Sequence, residues 1–62
     1  MEVQLIRADQ SGVFALPDGK TTDDILVVLL NGKPTEYTPV KDGTEVDVPE
    51  SRFDSIITAI LK

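Results

Sequence analysis

Asp23 and Asp24 are the only adjacent carboxylates in the chain. Joined by Asp42 or Asp47, they would supply oxygen ligands for a hard cation such as Ca²⁺. Their spacing matches no cation-binding loop. Two aspartates ahead of an apolar strand have a simpler use, solvating the turn and guarding the strand end against edge-to-edge pairing. The chain has no cysteine and no histidine, which removes thiol nucleophiles, Ser-His-Asp relays and the usual zinc sites. Acid-base catalysis by two carboxylates needs a polar cleft that separates their pKa values, and a small single core leaves little room for one. The expectation is therefore no enzyme activity, no cofactor, no metal and no small-molecule substrate.

The cations are equally uninformative as a site. Lys20, Lys33, Lys41 and Lys62 are scattered, with one aromatic, Tyr37, between Lys33 and Lys41, so no stacking platform for single-stranded nucleic acid forms. Pro17-Asp18-Gly19-Lys20 lacks the glycine spacing and the Ser/Thr of a phosphate-cradling loop. Eleven acidic against six basic residues give a net charge of −5, which opposes binding to nucleic-acid phosphates or to anionic lipid.

The elements that would position these side chains are short. Sixty-two residues amount to one domain, 1–62, with a core near the lower limit for independent folding. Without disulfides or metal, oligomerisation or docking is the remaining reinforcement. The Met1-Glu2-Val3-Gln4 start has no basic region and no following apolar run of signal-peptide length. The longest apolar run, Ile25 to Leu30, is far too short to span a bilayer. These features predict a soluble, non-secreted chain, complete from Met1 to Lys62.

Glycines and prolines fall between runs rich in Val, Ile and Thr, as turns between strands do. Glu2 to Ala8 is a first strand and, after Asp9-Gln10-Ser11-Gly12, Val13 to Leu16 is a second, ended by a tight turn at Pro17-Asp18-Gly19. Ile25 to Leu30 is a third, turned by Asn31-Gly32 in a type I′ hairpin. Pro34 and Pro39 make Thr35 to Val40 an edge or irregular strand. A second hairpin at Asp42-Gly43 pairs Lys41 with Thr44, Pro39 with Val46 and Tyr37 with Val48. Tyr37, Pro39, Val46 and Val48 then share one face, and Glu36, Thr38, Glu45 and Asp47 the other.

The C-terminus carries two signals. Phe53, Ile56, Ile57, Ile60 and Leu61 recur at helical spacing after a capping-box-like Ser51-Arg52-Phe53-Asp54. The β-branched cluster Ile56-Ile57-Thr58 and Ile60 instead suits a closing strand within Asp54 to Lys62. The fold reading is all-β, a small antiparallel β-sandwich of about five or six short strands; the alternative is α+β with a C-terminal helix over 51–62.

Strand alternation along Ile25 to Leu30 puts Ile25, Val27 and Leu29 on one face and Leu26, Val28 and Leu30 on the other. Both faces are apolar, so each needs cover from this chain or from another subunit. Leu26, Val28, Leu30, Tyr37, Val46 and Val48 are the candidate core-and-interface residues.

The ordered stretch Val13-Phe14-Ala15-Leu16-Pro17, Ile25 to Gly32, Glu36 to Pro49 and Asp54-Ser55-Ile56-Ile57 resembles small β-modules of bacteriophage structural proteins, found in tail-fibre and virion-decorating chains. Those modules combine an F-x-L-P strand, a hydrophobic strand with an Asn-Gly hairpin, a Tyr-Thr/Gly-Thr hairpin and a closing strand introduced by aspartate. The resemblance implies a β-sandwich-like virion component, a capsid decoration or accessory subunit or a tail-fibre-type subunit, assembled in the host cytoplasm. Its expected partners are other virion proteins or further copies of itself, with no nucleic acid and no membrane. The alternative function, motivated by the net charge and by Glu36, Glu45 and Asp47 on one strand face, is a small acidic inhibitor or adaptor that mimics DNA toward a host protein.

Overall fold

The computed structural model describes residues 1–8 and 12–62. The strands are β1 (Glu2–Gln4), β2 (Ile6–Arg7), β3 (Val13–Ala15), β4 (Ile25–Leu30), β5 (Lys33–Thr35), β6 (Thr38–Val40), β7 (Glu45–Asp47) and β8 (Ile57–Leu61). They form two antiparallel four-stranded sheets, the first ordered β1-β8-β4-β5 and the second β2-β3-β7-β6. This is the all-β sandwich expected from the strand and turn pattern. No helix among the described residues is long and apolar enough to cross a membrane.

The turns follow their residues. Asn31 (φ 51°) and Gly32 (φ 89°) join Leu30 to its partner Lys33, as a type I′ hairpin requires. At the second hairpin, Asp42 (φ 58°) and Gly43 (φ 85°) let the Thr44 N–H donate to the Lys41 carbonyl at 3.1 Å. The register read from Asp42-Gly43 holds where strand pairing begins, with Pro39 opposite Val46. Gly43 has a second constraint, because a Cβ there would lie 3.1 Å from Thr22 Oγ1. At Pro17-Asp18-Gly19, the Lys20 N–H closes the turn on the Pro17 carbonyl at 3.0 Å. Of the expected turn Asp9-Gln10-Ser11-Gly12, residues 9–11 lie outside the described residues.

Two expected strands are in fact bent across both sheets. Glu2 to Ala8 is broken at Leu5, whose side chain is buried between the layers and whose N–H donates to the Ile57 carbonyl at 2.8 Å. β1 therefore edges the first sheet and β2 the second. The stretch Thr35 to Val40 likewise splits at Glu36-Tyr37, with β5 in the first sheet and β6 in the second. The chain thus passes from one sheet to the other at both edges through continuous backbone.

The C-terminal ambiguity resolves as a strand. β8 lies between β1 and β4, where Ile57, Ala59 and Leu61 point inward and are buried. A helix over 51–62 would have left β1 and β4 without a common partner. Leu5, Phe14, Leu16, Ile25, Val28, Val46 and Val48 complete the core, with Val3, Leu30 and Tyr37 packed on its margin.

One register differs from simple alternation. Ile25 pairs with Leu61 but Val27 pairs with Ile60, so a bulge accommodates Leu26 as an extra residue. Ile25, Val28 and Leu30 consequently turn toward the core, and Ile25 does not share a face with Val27 and Leu29. Leu26 is 63% exposed.

Candidate interaction surface

The aspartate pair has a structural role. Thr22–Asp24 form one 3-10 turn whose Thr21 cap accepts from the Asp23 N–H at 3.3 Å, while Asp24 Oδ2 accepts from the Thr21 N–H at 3.1 Å. This reciprocal capping box ties the entry to β4. Among the described residues, no group of three or more acidic side chains comes together as a metal site.

The six residues singled out in the sequence separate into three environments. Val28, Val46 and Val48 are fully enclosed between the sheets and present nothing to a partner. Leu30 and Tyr37 are half-buried against the core margin. Leu26 alone is exposed. The bulge separates Leu26 from the inward face of Val28 and Leu30, and the outward positions of β4 fall to Val27 and Leu29, the reverse of the face chosen in the sequence.

The outer face of the first sheet is built from cross-strand pairs. Ile60 lies opposite Val27 and Glu2, and Leu29 opposite Thr58 and Pro34. Val27, Leu29 and Ile60 are half-buried by their neighbours alone, since no further sheet or helix among the described residues covers them. With exposed Leu26 they form an apolar strip across the two central strands, bounded by Glu2 and Gln4 on the β1 side. The outer face of the second sheet is more mixed: Val13, Ala15 and Val40 alternate with Thr38, Glu45 and Asp47. Glu45 approaches Lys41 at 3.9 Å. Glu36 stands at the β5–β6 corner, away from that β7 face, so the three acids of the DNA-mimic reading do not form one row.

A second exposed feature lies on the segment between β7 and β8, which makes two consecutive β-turns. The Ser51 N–H and Oγ–H both donate to the Val48 carbonyl, at 3.0 and 2.7 Å. In the next turn the Ser55 N–H donates to the Arg52 carbonyl at 3.0 Å, and the Arg52 N–H returns a bond to Ser55 Oγ at 2.7 Å. Arg7 reaches across from β2, donating from Nη2 to the Arg52 and Phe53 carbonyls at 2.7 and 3.3 Å, with its guanidinium carbon 4.9 Å from the Phe14 ring centroid. The Asn31 N–H donates to the Ile56 carbonyl while Asn31 Oδ1 accepts from the Ile56 N–H, each at 2.9 Å. On this pinned backbone the Phe53 side chain is 94% exposed. An open cleft of about 660 Å³, lined by Pro34, Thr35, Glu36, Pro49 and Glu50, lies where the first of these turns meets the β5–β6 corner.

No family model, curated protein or solved structure matches the chain.

The geometry therefore stands on its own chemistry. Carboxylates are spread along the surface and no polar or charged residue among those described is buried. The exposed apolar features are a sheet face and an aromatic ring on a hydrogen-bonded turn. Phe53 was legible in the sequence only as one member of a helical apolar series. The usable signal was the polar company of Arg52, Asp54 and Ser55, which suits a turn better than a helix interior.

Proposed function

We propose that this chain is a non-enzymatic structural subunit that works by protein–protein contact, of the kind that decorates a bacteriophage capsid or forms part of a tail or fibre. The observation that carries the reading is the uncovered apolar strip Leu26, Val27, Leu29 and Ile60 on the outer face of the first sheet. The phage assignment rests on the resemblance of the turn-and-strand pattern from Val13 to Ile57.

The size of the face sets the mode of action. Four strands about 4.8 Å apart and about five residues long present roughly 300 Å², well below the roughly 800 Å² per partner of a standard stable interface. A single contact of this size is weak. Copies arrayed on a regular shell act together, since linked contacts multiply through effective concentration. The net charge of −5 keeps neighbouring particles apart.

The test uses gradient-purified virions from the producing cells. The parent chain should be detected in the particles and should reload onto particles stripped of it. Leu29→Asp, facing solvent in the free subunit, should remain folded by circular dichroism yet fail to reload. Absence of the chain from purified virions, or reloading of Leu29→Asp to the parental level, would refute the reading. Competition with DNA for a host protein would establish the inhibitor function instead.

A further inference from the structure

The Arg52–Ser55 turn lies outside the sheet face just described, the Pro34/Pro49 cleft borders that face where Pro34 pairs with Leu29, and their chemistries are complementary. We propose that Arg52 and Phe53 of one copy of this chain dock in the cleft of a second copy, the phenyl ring against Pro34 and Pro49 and the guanidinium between Glu36 and Glu50.

The knob is shaped for a partner. A phenylalanine that is 94% exposed contributes nothing to the core of its own subunit, and a chain with only two phenylalanines has placed the other, Phe14, at the centre of that core. The backbone beneath Phe53 is held by Arg7 at two carbonyls and by the reciprocal Arg52–Ser55 bonds. The backbone conformation is fixed before binding, so docking orders the two side chains but not the turn that carries them. Aromatic and arginine side chains delivered in this way are the residues on which interface affinity concentrates.

The cleft matches both parts of the knob. Pro34 and Pro49 are exposed and supply rigid apolar walls. Glu36 and Glu50 stand beside them, both exposed. Among the described residues no carboxylate pairs with Arg52, the one ion pair being Lys41–Glu45. A second copy is favoured over an unrelated partner because the same chain carries the ring, the cation, the proline walls and the two acids. The charges also oppose where the patches meet, although two copies each at −5 repel overall; salt screens that long-range term beyond about 8 Å while leaving the close pair.

The contact joins unlike patches, so knob and cleft can be disabled separately. Sedimentation velocity at rising protein concentration, at physiological salt, reads the association. Phe53→Ala removes an exposed side chain and leaves the fold intact, which far-UV circular dichroism checks; association should weaken about 10- to 100-fold. The cleft variant Glu36→Lys/Glu50→Lys should be monomeric under the same conditions. Mixing the two variants one to one should restore association, since the Phe53→Ala chain keeps its cleft and the charge-reversed chain keeps its knob. Adding Arg52→Glu to the cleft variant should likewise restore self-association by exchanging the signs. Ile60→Lys, on the same strip but separated from Pro34 by β4, should associate as the parent does, which separates this contact from the sheet face. A parent that is monomeric at millimolar concentration, a Phe53→Ala chain that associates like the parent, or a mixture that stays monomeric would each overturn the proposal.

Discussion

Val28 and Leu29 are adjacent in β4, and strand alternation gives them opposite fates. Val28 is completely buried opposite Ala59, and Leu29 faces outward opposite Thr58. Val28→Ala removes two methyl groups from the centre of the sandwich. At about 0.8 kcal/mol per buried methylene-sized group, plus a term for the space left behind, the loss is about 2 kcal/mol. A chain of this length has about 3–9 kcal/mol in all, so the fraction is large. Leu29→Ala deletes more carbon but from a half-exposed position, and should cost about 0.5–1 kcal/mol. With a urea slope near 1 kcal/mol per molar for so small a domain, the midpoint should fall by about 2 M for Val28→Ala and by less than about 1 M for Leu29→Ala. Urea titrations followed by circular dichroism measure both. Side-chain size alone ranks the variants the other way, so a larger loss for Leu29→Ala would show that the faces of β4 are exchanged and the bulge misplaced, since a one-residue slip inverts every side chain.

Three further outcomes follow from the loops. Gly43→Ala should cost about 1–2 kcal/mol from its positive φ, with an added penalty from the 3.1 Å approach to Thr22, whereas Gly19→Ala, at φ 81° with open space around it, should lose only the conformational part; paired thermal melts compare them. Arg7→Ala removes two charge-assisted bonds and the contact with Phe14. It should destabilise by about 1.5–3 kcal/mol and speed amide exchange within residues 52–56; unchanged exchange there would show that the guanidinium does not hold the loop. Asn31→Gly keeps the φ of 51° accessible but loses the bond from the Ile56 N–H, so exchange at Ile56 should rise with a loss of about 1 kcal/mol; equal exchange in both proteins would refute the role of Oδ1.

Turn chemistry carried most of what the sequence revealed. Asn31-Gly32 and Asp42-Gly43 demand positive φ, and once those turns are placed the pairing of Leu30 with Lys33 and of Pro39 with Val46 follows. The all-β class came from the same local signals. The bulge was hidden because Ile25 to Leu30 contains no polar residue, so nothing along β4 marks which side faces water. The corners at Leu5 and at Glu36-Tyr37 were hidden for a different reason: an extended segment that changes sheets reads locally like one that does not. Arg7 and Phe53 are furthest from sequence reasoning, because the bonds that fix the turn under Phe53 join residues 45 and 46 positions apart. Residues 51–62 were resolved only by competition for partners, with β1 and β4 both needing β8.

The placement of β8 also bears on the order of events during folding. The last of these eight strands in chain order is the one that joins β1 to β4, and the Leu61 carbonyl accepts from the Met1 ammonium 60 positions earlier in the chain. Until β8 is available, β1 has no neighbour in its sheet, and β4 has only the short β5. Such distant pairing is slow to nucleate because the loop must close before the contacts reward it. Until β8 docks, the largest apolar strand is thus still uncovered, and that interval is when an encounter between unfinished chains is most damaging.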